Sequence, residues 1–373
     1  MKIAIDARSL TKNLTGIANF LINALNELIS QRPDWDFYLL VHKPLNDDIE
    51  KKLVKSDNVK IIIDSQRFLK VGTLWYLVRL NKLLKKIEPD YFWSPATLIP
   101  FGFDYKIKTL VTVHDVVFKE YKNTMNKFNL FIHTLLFDKS IKKADIIWTV
   151  SDYTKNKVIE YYPKISKDVF VGSSVDKSIY QRILISDQEK KLIFAKYGIS
   201  NKFLLFIGTL EPRKNISYLL SLMPDLFKDD YSLLIVGAKG WGNTEIKAII
   251  EANSFPKDKV IFADFTPPQE LIKLYNLAHI YISTSLNEGF GLPQLEAMSC
   301  ACPVITSHNS AMIEVVENAG ITVKGFEKND WLKAIKEVSD NREYYAERCY
   351  EKSKNYNWKN IIFELIKVIE NRI

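Results

Sequence analysis

The sequence alternates short β-branched runs with longer helical patterns, and this alternation starts twice. The strand candidates are 2–6, 37–41, 59–64, 90–94, 108–115, 145–151 and 168–172, followed by 202–208, 231–237, 259–264, 280–285, 303–307 and 320–324. Strands that alternate with helices are typical of βαβ units, whose parallel sheets carry helices on both faces. The sequence therefore predicts an α/β protein with two Rossmann-like, doubly wound domains in tandem.

The length of the chain supports two domains. Its 373 residues exceed what a single hydrophobic core usually organises. A polar turn precedes a charged helical pattern between the two series of strands, and we place the domains at residues 1–180 and 181–355. The last stretch, 356–373, has apolar residues at helical spacing and follows the final strand, so it predicts a terminal helix that covers another surface.

Composition excludes several classes of protein. A hydrophobic content of 47% and a charged content of 26% are typical of globular domains and not of disordered chains. Cys300, Cys302 and Cys349 are too few and too irregularly spaced for a disulfide framework or a four-ligand zinc site. No uncharged run approaches the roughly 20 residues of a membrane span, and the apolar run after Lys2 is too short for a signal peptide. We therefore expect a cytoplasmic protein that is not integral to a membrane.

The net charge of +8 lies entirely in the first half of the chain. Residues 1–180 contain 28 Lys and Arg against 20 Asp and Glu, whereas residues 181–373 contain 24 of each. A basic half indicates an anionic partner, either nucleic acid or a membrane surface with acidic lipids. We find no RNA-binding or DNA-binding module, which argues against nucleic acid.

Two basic stretches, 67–87 and 118–145, interleave lysines with aromatic residues such as Trp75 and Tyr76 that look exposed. Basic amphipathic helices with aromatic side chains suit an anionic membrane interface, which predicts a peripheral protein on the inner face of the cell membrane. The alternative, that each helix packs its apolar face on the sheet and solvates its lysines, remains open.

The second domain contains a candidate phosphate site after the strand 202–208. Gly208 permits a sharp turn, Arg213 and Lys214 place two cations beside a helix start, and Asn215 can cap that helix. Cations at a helix N-terminus suit a diphosphate. A solvated Arg-Lys pair is the alternative interpretation.

A second segment, 283–298, has a more specific pattern. It predicts Glu288 at the end of a buried strand, a turn at 289–291 that exposes backbone N–H groups, and Glu296 one or two turns into the next helix. The N–H groups suit phosphate oxygens, and each carboxylate can accept hydrogen bonds from a vicinal diol. Surface carboxylates that flank a loop are the alternative.

These segments, GTLEPRKN and NEGFGLPQLEAMSCACPVITS, resemble retaining nucleotide-sugar glycosyltransferases of the GT-B fold, specifically family 4 with its paired-glutamate motif. The likeness covers the second domain. In the first domain, IDARSLTKNLTGIANFLINAL resembles the glycine loop and first helix of bacterial mannosyl- and rhamnosyltransferases, with Asp6, Arg8 and Gly16 at matching positions. LVTVHDVVF resembles the family's strand-end His-Asp pair. One difference lies at 324–331, where the family usually has an Asp-Pro pair.

The resemblance implies that the two domains face each other across a cleft and that the terminal helix, with Trp358, crosses back to the first domain. It also implies roles for individual residues. Arg213 and Lys214 would hold the diphosphate, Glu288 the sugar hydroxyls and Glu296 the ribose, with His114 beside the donor sugar. The residues that would line the phosphates and the sugar are Gly16, Gly208, Phe290, Gly291 and Leu292.

From these residues and the resemblance we predict a hexosyltransferase that retains the anomeric configuration of its donor and needs neither a metal nor a cofactor. GDP-mannose is the expected donor, with dTDP-rhamnose or a UDP-sugar as alternatives. The expected acceptor is a lipid-linked saccharide or a surface-polysaccharide precursor. Two other classes stay open: a Rossmann-type NAD-dependent oxidoreductase or epimerase, and a non-catalytic protein that binds nucleotide sugars.

Two further motifs compete with this interpretation. Asp34 and Asp36 form a D-x-D triplet, which binds a divalent ion in the other major glycosyltransferase fold, but they precede a strand instead of following one. The glycines at 237–242 are similar to a dinucleotide fingerprint, but the spacing does not match G-x-G-x-x-G and no acidic ribose ligand follows. We interpret this segment as a loop.

Overall fold

The computed structural model describes the chain except for residues 13–14, 66–71, 121–126, 166–168, 200–201, 239–245, 247–248, 250–254, 257, 265 and 373. The side chains of 118, 120, 127–133 and 135 are also not described. The chain forms two compact units, Met1–Ser174 with Asn357–Ile373 and Val175–Tyr356. The first unit ends six residues before the boundary suggested by the sequence, so 175–180 group with the second unit.

The first unit contains a seven-stranded parallel sheet in the order β3-β2-β1-β4-β5-β6-β7. Its strands are β1 Lys2–Asp6, β2 Asp36–Val41, β3 Val59–Ile63, β4 Tyr91–Ser94, β5 Lys108–Val113, β6 Ile146–Thr149 and β7 Val169–Val171. Its helices up to this point of the chain are α1 Gly16–Gln31, α2 Asp47–Glu50, α3 Gly72–Ile87, α4 Val117–Glu120, α5 Lys127–Lys143 and α6 Asp152–Tyr161. Central strands such as β4 and β6 are buried throughout, because helices cover both faces of the sheet.

The second unit contains a six-stranded parallel sheet in the order β10-β9-β8-β11-β12-β13. Its strands are β8 Phe203–Ile207, β9 Ser232–Val236, β10 Val260–Ala263, β11 Ile280–Ser283, β12 Val304–Ser307 and β13 Ile321–Val323. Its helices are α7 Asp187–Tyr197, α8 Ile216–Leu226, α9 Pro268–Leu277, α10 Leu292–Ser299, α11 Met312–Val316, α12 Lys328–Asp340 and α13 Arg342–Ser353. All thirteen strands predicted from the sequence are present, and their ends differ by at most two residues.

The terminal helix α14, Trp358–Glu370, packs on the first unit, as predicted. The indole ring of Trp358 lies 5.2 Å from Phe20 and 6.3 Å from Trp148, measured between ring centroids. Arg32 of the first unit forms an ion pair with Glu370. The apolar face of α14 thus packs on the first unit, as the helical spacing of its apolar residues predicts.

The prediction that the basic helix α3 exposes its aromatic residues is wrong for Trp75 and Tyr76. Trp75 and Tyr76 are fully buried, because they belong to the face of α3 that packs on the sheet. The exposed face carries Lys82, Lys85 and Lys86. Residues 67–71 of this stretch and 121–126 of the second basic stretch lie outside the described part of the chain. None of the described helices has the length and apolar character needed to cross a membrane.

Candidate active site

The two predicted cations of the second unit lie directly after strand β8. A short 3₁₀ helix, Pro212–Lys214, presents both side chains at the carboxyl edge of the sheet. Arg213 Nη1 is 2.8 Å from Glu288 Oε2, and Lys214 Nζ is 2.5 Å from Glu288 Oε1. The fold therefore brings the adjacent Arg213 and Lys214 together with Glu288, which lies more than 70 positions later in the chain.

This cluster fixes the charge of Glu288. Burial by itself would raise the pKa of the Glu288 carboxyl, but Lys214 and Arg213 lower it to about 2. Arg213 Nη2 also contacts Glu211 Oε1 at 2.6 Å. Within the described contacts, the two cations pair with two carboxylates, so these four residues form a compact ionic network.

The backbone around the cluster is held by side chains from other elements. Strand β11 ends at Ser283, so Glu288 lies in the loop five residues beyond the strand and not at the end of the strand, where the sequence predicts it. The Glu288 N–H instead donates to Ser310 Oγ at 2.8 Å, and Thr284 Oγ1 donates to the carbonyls of Lys214 and Asn215. These bonds replace the strand ladder in fixing the loop.

The glycine turn opens directly into helix α10. Gly291 is the N-cap residue with φ of 108°, a conformation that residues with a side chain rarely adopt. Leu292 is the first residue of the helix, and Phe290 is buried with its ring 5.7 Å from Tyr356. The N–H groups of this first turn and the helix dipole favour an anionic ligand.

Glu296 lies in the second turn of α10, as predicted, but in surroundings unlike those of Glu288. Tyr275 of α9 donates a hydrogen bond of 2.7 Å to Glu296 Oε2. Burial raises the pKa of Glu296 to about 7, and hydrogen bonding with Tyr275 and Tyr180 only partly opposes this shift. The second carboxyl of the motif therefore titrates near neutral pH.

Glycines at the ends of two neighbouring strands allow close backbone packing beside the cluster. A Cβ atom added to Gly237 would lie 2.0 Å from the carbonyl oxygen of Gly208. A Cβ added to Gly208 would lie 3.4 Å from Lys214 Cε. Gly208 therefore lies beside Lys214 of the candidate site, and Gly237 is required for packing against Gly208. The rest of the segment at 239–245 lies outside the described residues.

His114, a predicted site residue, belongs to the first unit, directly after β5. Its Nε2 is 2.8 Å from the Pro95 carbonyl oxygen. Because a carbonyl only accepts hydrogen bonds, Nε2 carries the proton, and Nδ1 has the free lone pair. Burial lowers the pKa of His114, which favours the neutral ring, and the ring packs edge-on against Phe20 at 4.9 Å.

The predicted glycine loop of the first unit is described at both of its ends. Asp6 accepts two hydrogen bonds of 2.7 Å from Arg8, whose guanidinium lies 3.8 Å over the Tyr76 ring. Gly16 is the exposed first residue of α1, whose N-cap Thr15 accepts a bond from the Ala18 N–H. Arg8 is thus engaged within its own unit.

Three contacts of the site were not predicted. Glu211 lies two positions before Arg213, so its charge was a usable signal. Ser310 and Tyr275 contact residues more than 20 positions away, and nothing in the local sequence indicates those contacts. Asn215 occupies the N-cap position of α8, but its side chain makes no capping hydrogen bond, because the backbone there is left-handed with φ of 52°.

The two carboxylates of the D-x-D triplet, Asp34 and Asp36, form ion pairs with basic side chains. Asp34 pairs with Arg32 at 2.8 Å, and hydrogen bonding from Arg32 lowers the pKa of Asp34. Asp36 lies 3.5 Å from Lys60, and Trp35 between the two carboxylates is buried. Among the described residues, no group of three or more His, Cys, Asp or Glu side chains is arranged to hold a metal ion.

Solved structures with the same architecture include a glycosyltransferase and a protein that binds UDP and glucose. WaaG, a glycosyltransferase involved in lipopolysaccharide biosynthesis, superposes with a TM-score of 0.74 at 13% identity and covers 99% of each chain. HepE from Anabaena, in complex with UDP and glucose, superposes with a TM-score of 0.71 at 16% identity, also over 99% of each chain. The fold is therefore GT-B, the class of two doubly wound domains with a terminal helix that returns to the first.

Sequence comparison identifies the second unit more closely. Residues 189–356 match the family of glycosyl transferases group 1 and form a domain of that family. The O-antigen chain mannosyltransferase B of Escherichia coli is 26% identical over 98% of both chains. The O-antigen chain mannosyltransferase RfbU of Salmonella typhimurium is 29% identical over 61% of this chain and 60% of its own. The protein is thus a glycosyltransferase.

Proposed function

We propose that the protein transfers mannose from GDP-mannose to a lipid-linked or surface-polysaccharide saccharide acceptor, with retention of configuration. The observation that carries the proposal is the largely buried Arg213–Lys214–Glu288 cluster beside the first turn of α10, within a group 1 domain. Two relatives of the chain are O-antigen chain mannosyltransferases, which supports mannose as the sugar and a polysaccharide precursor as the acceptor.

The cluster provides an electrostatic mechanism for departure of the nucleoside diphosphate. Arg213 and Lys214 would contact the diphosphate oxygens, and the N–H groups at the start of α10 would stabilise the charge that develops as the glycosidic bond breaks. Because Glu288 and Glu211 already pair with the two cations, the helix N-terminus supplies a necessary part of the attraction. Glu288 would anchor the sugar hydroxyls, and Glu296 would accept hydrogen bonds from the ribose.

The chemistry of His114 supports retention. An inverting reaction needs a base that removes the proton of the acceptor, and burial lowers the pKa of His114, which makes it a weak base. In a front-face retaining reaction, the departing diphosphate takes that proton. We therefore propose an α-linked product from an α-configured donor.

The donor and the stereochemistry can be tested together. GDP-mannose, dTDP-rhamnose and UDP-glucose are compared by thermal shift, because a ligand that binds the folded protein raises its Tm. We expect the largest rise with GDP-mannose. Proton NMR of the anomeric signal then identifies the linkage, and a β-linked product would refute retention. Single-turnover transfer is expected to persist in excess EDTA; its complete loss, with recovery on adding Mn²⁺ or Mg²⁺, would contradict a metal-independent reaction.

The proposal includes attachment of the first unit to an anionic membrane surface. Leu74 and Val78 of α3 are nearly half exposed, about two turns and one turn before Lys82 on the same face of the helix. Phe101 and Tyr105 are exposed to a similar degree, and Lys139 and Lys143 lie 5.1 Å and 5.5 Å from these two rings. Apolar side chains among lysines are typical of peripheral attachment to acidic lipids.

Liposome flotation tests this attachment. We expect binding to anionic vesicles and not to neutral ones, weakening with salt, because each Lys near the surface contributes about 1 kcal/mol. The triple variant Lys82→Glu, Lys85→Glu and Lys86→Glu should float less than wild type. A control with the same charge change on exposed lysines of the second unit, K190E, K191E and K333E, should float as wild type does. Equal flotation on neutral vesicles would remove the membrane part of the proposal.

A further inference from the structure

Gln294 lies in the first turn of α10 with its carboxamide buried. The residue is only 1% exposed. Within the part of the chain that the structure describes, neither its Oε1 nor its Nε2 has a hydrogen-bond partner. Buried polar groups are almost always paired, since an unpaired group loses its bonds to water without compensation. A carboxamide kept in this position is therefore unfavourable for the fold unless a ligand completes its hydrogen bonds.

The position of the carboxamide connects it to the ligand site. Its Oε1 lies 3.1 Å from where a Cβ atom on Gly291 would be, so it packs against the N-cap glycine of α10. Gln294 also lies between Glu288 and Glu296 in the sequence. The loop on the far side of Gly291 is held by the bond from the Glu288 N–H to Ser310 Oγ. The unpaired amide thus lies at a helix N-terminus whose surroundings are already fixed.

The chemistry of the amide restricts its ligand. Nε2 donates and Oε1 accepts, and both are unpaired within the described residues. A phosphate oxygen can satisfy Nε2 but cannot donate to Oε1. A sugar hydroxyl both donates and accepts, so adjacent hydroxyls satisfy both ends of one carboxamide. A hexose is therefore a better match for Gln294 than a phosphate.

We propose that Gln294 is a specificity-determining residue that hydrogen-bonds hydroxyl groups of the transferred sugar. This inference rests on the proposed function, because it requires a nucleotide sugar at the start of α10. It adds a neutral contact to the ionic contacts of Glu288. A site that must hydrogen-bond a hydroxyl discriminates strongly against a sugar that lacks it, because the amide is then left buried and unpaired.

The substitution Gln294→Met separates binding from folding, since methionine has a similar shape and no polar atoms that need partners. Isothermal titration compares wild type and variant with GDP-mannose and with GDP. We expect GDP-mannose to bind the variant about tenfold more weakly and GDP to bind it unchanged. Without nucleotide, the Tm should rise by about 2 °C or more, because an unpaired buried amide has been removed. Gln269→Met, at an exposed position of α9, is the matched control and should change neither quantity.

Each other outcome overturns a specific part of the inference. Unchanged GDP-mannose binding in the variant would show that Gln294 makes no contact with the donor. Equal weakening for GDP and GDP-mannose would assign Gln294 to the phosphates and refute the sugar contact. If Gln294→Met does not fold, Gln294→Asn is measured instead, because it shortens the side chain by one methylene and keeps the amide; the same selective loss for GDP-mannose is expected.

The experiment also distinguishes this inference from the proposed function. If wild type binds UDP-glucose or dTDP-rhamnose instead of GDP-mannose, the donor proposal fails, and the same comparison is made with that sugar nucleotide and its diphosphate. Wild type that binds none of the three donors overturns the proposed function and the role of Gln294 with it. If wild type and Gln294→Met bind a donor equally tightly, the role of Gln294 is overturned and the proposed function stands.

Discussion

Glu288 and Glu296 belong to one loop–helix segment of the second unit, yet their surroundings are opposite. Lys214 and Arg213 contact Glu288 at 2.5 Å and 2.8 Å and lower the pKa of its carboxyl to about 2. Glu296 accepts a hydrogen bond from the neutral phenol of Tyr275, and burial raises the pKa of its carboxyl to about 7. Two identical residues eight positions apart therefore differ in protonation at neutral pH.

The difference shows that the identity of a motif residue does not determine its charge. The 3₁₀ helix after β8 supplies the cations that lower the pKa of Glu288, whereas burial raises the pKa of Glu296 and hydrogen bonding from Tyr275 of α9 only partly opposes that rise. The Glu288 region is an ionic network that stays charged over the ordinary pH range. The Glu296 region is a polar, hydrogen-bonded environment that titrates. We therefore expect substitutions in the first region to act through charge and those in the second through hydrogen bonding and pH.

The largest expected effect is that of Glu288→Gln. Transfer should fall by about one to three orders of magnitude, because the charge that stabilises an oxocarbenium-like sugar is lost. Binding of the bare nucleoside diphosphate should become stronger, since Lys214 and Arg213 no longer share their charge with a carboxylate. Steady-state kinetics and isothermal titration measure the two quantities. Turnover near that of wild type, with only KM altered, would leave Glu288 a binding residue without a part in the transition state.

Glu211→Gln is the matched control for this charge change. It removes a carboxylate from the same network, but among the described contacts this carboxylate pairs with Arg213 and not with Lys214. A loss in transfer as large as that of Glu288→Gln would mean that the network, and not Glu288 itself, determines the rate. Thermal melting of both variants shows whether an activity loss reflects unfolding.

The next effect concerns the cations. Arg213→Ala and Lys214→Ala should each weaken binding of the nucleoside diphosphate by on the order of 1.5 to 3 kcal/mol, because each removes a charge-assisted contact in a largely buried site. Isothermal titration measures the loss. Lys228→Ala, which removes an exposed lysine paired with Asp225, is the control. Diphosphate binding as tight as in wild type would place the phosphate site elsewhere.

The two carboxylates should also affect stability in opposite pH ranges. The pKa of Glu288 is lowered from 4.5 to about 2, so the contribution of Glu288 to the free energy of unfolding is complete above pH 4.5 and is lost as the pH falls towards 2. The pKa of Glu296 is raised from 4.5 to about 7, so its contribution is complete below pH 4.5 and is lost as the pH rises through 7.

Melting curves at pH 5 and pH 8 test this opposition. The Tm of Glu296→Gln minus that of wild type should be about 2 to 4 °C higher at pH 8 than at pH 5. The reason is that the buried Glu296 carboxyl of wild type carries its charge only at the higher pH. Glu288→Gln should be less stable than wild type at both values, and the difference should narrow below pH 4. A Glu296→Gln difference that does not depend on pH would contradict the raised pKa.

The smallest expected effect is that of Tyr275→Phe. The variant removes one hydrogen bond to Glu296 Oε2, worth about 0.5 to 1.5 kcal/mol, which corresponds to a two- to tenfold rise in the KM for the donor with kcat nearly unchanged. Tyr218→Phe is the control, because within the described residues the buried Tyr218 hydroxyl has no hydrogen-bond partner. A change in kcat as large as the change in KM would make Tyr275 more than a residue that positions Glu296.

The fold was predictable from the sequence to a large extent. Strands buried on both faces, such as β4 and β6, read as continuous apolar runs and could be found without their partners. The position of Glu296 on α10 followed from the local glycine turn. Trp75 and Tyr76 were misjudged because a helix with lysines on one face leaves open which aromatic residues face the sheet.

The sequence by itself determined the two α/β domains, the terminal helix and the residue types of the candidate site, because these depend on local periodicity and on short motifs. Only the tertiary structure decided that Lys214 and Arg213 pair with Glu288, that Tyr275 pairs with Glu296 and that the Gln294 amide is buried without a partner in the described chain. Each of these facts depends on distances between elements that are remote in sequence, or on the exclusion of water. Those distances and that burial set the pKa values of the two carboxyl groups and leave the Gln294 amide without a partner in the described chain, and the chemistry of the site follows from them.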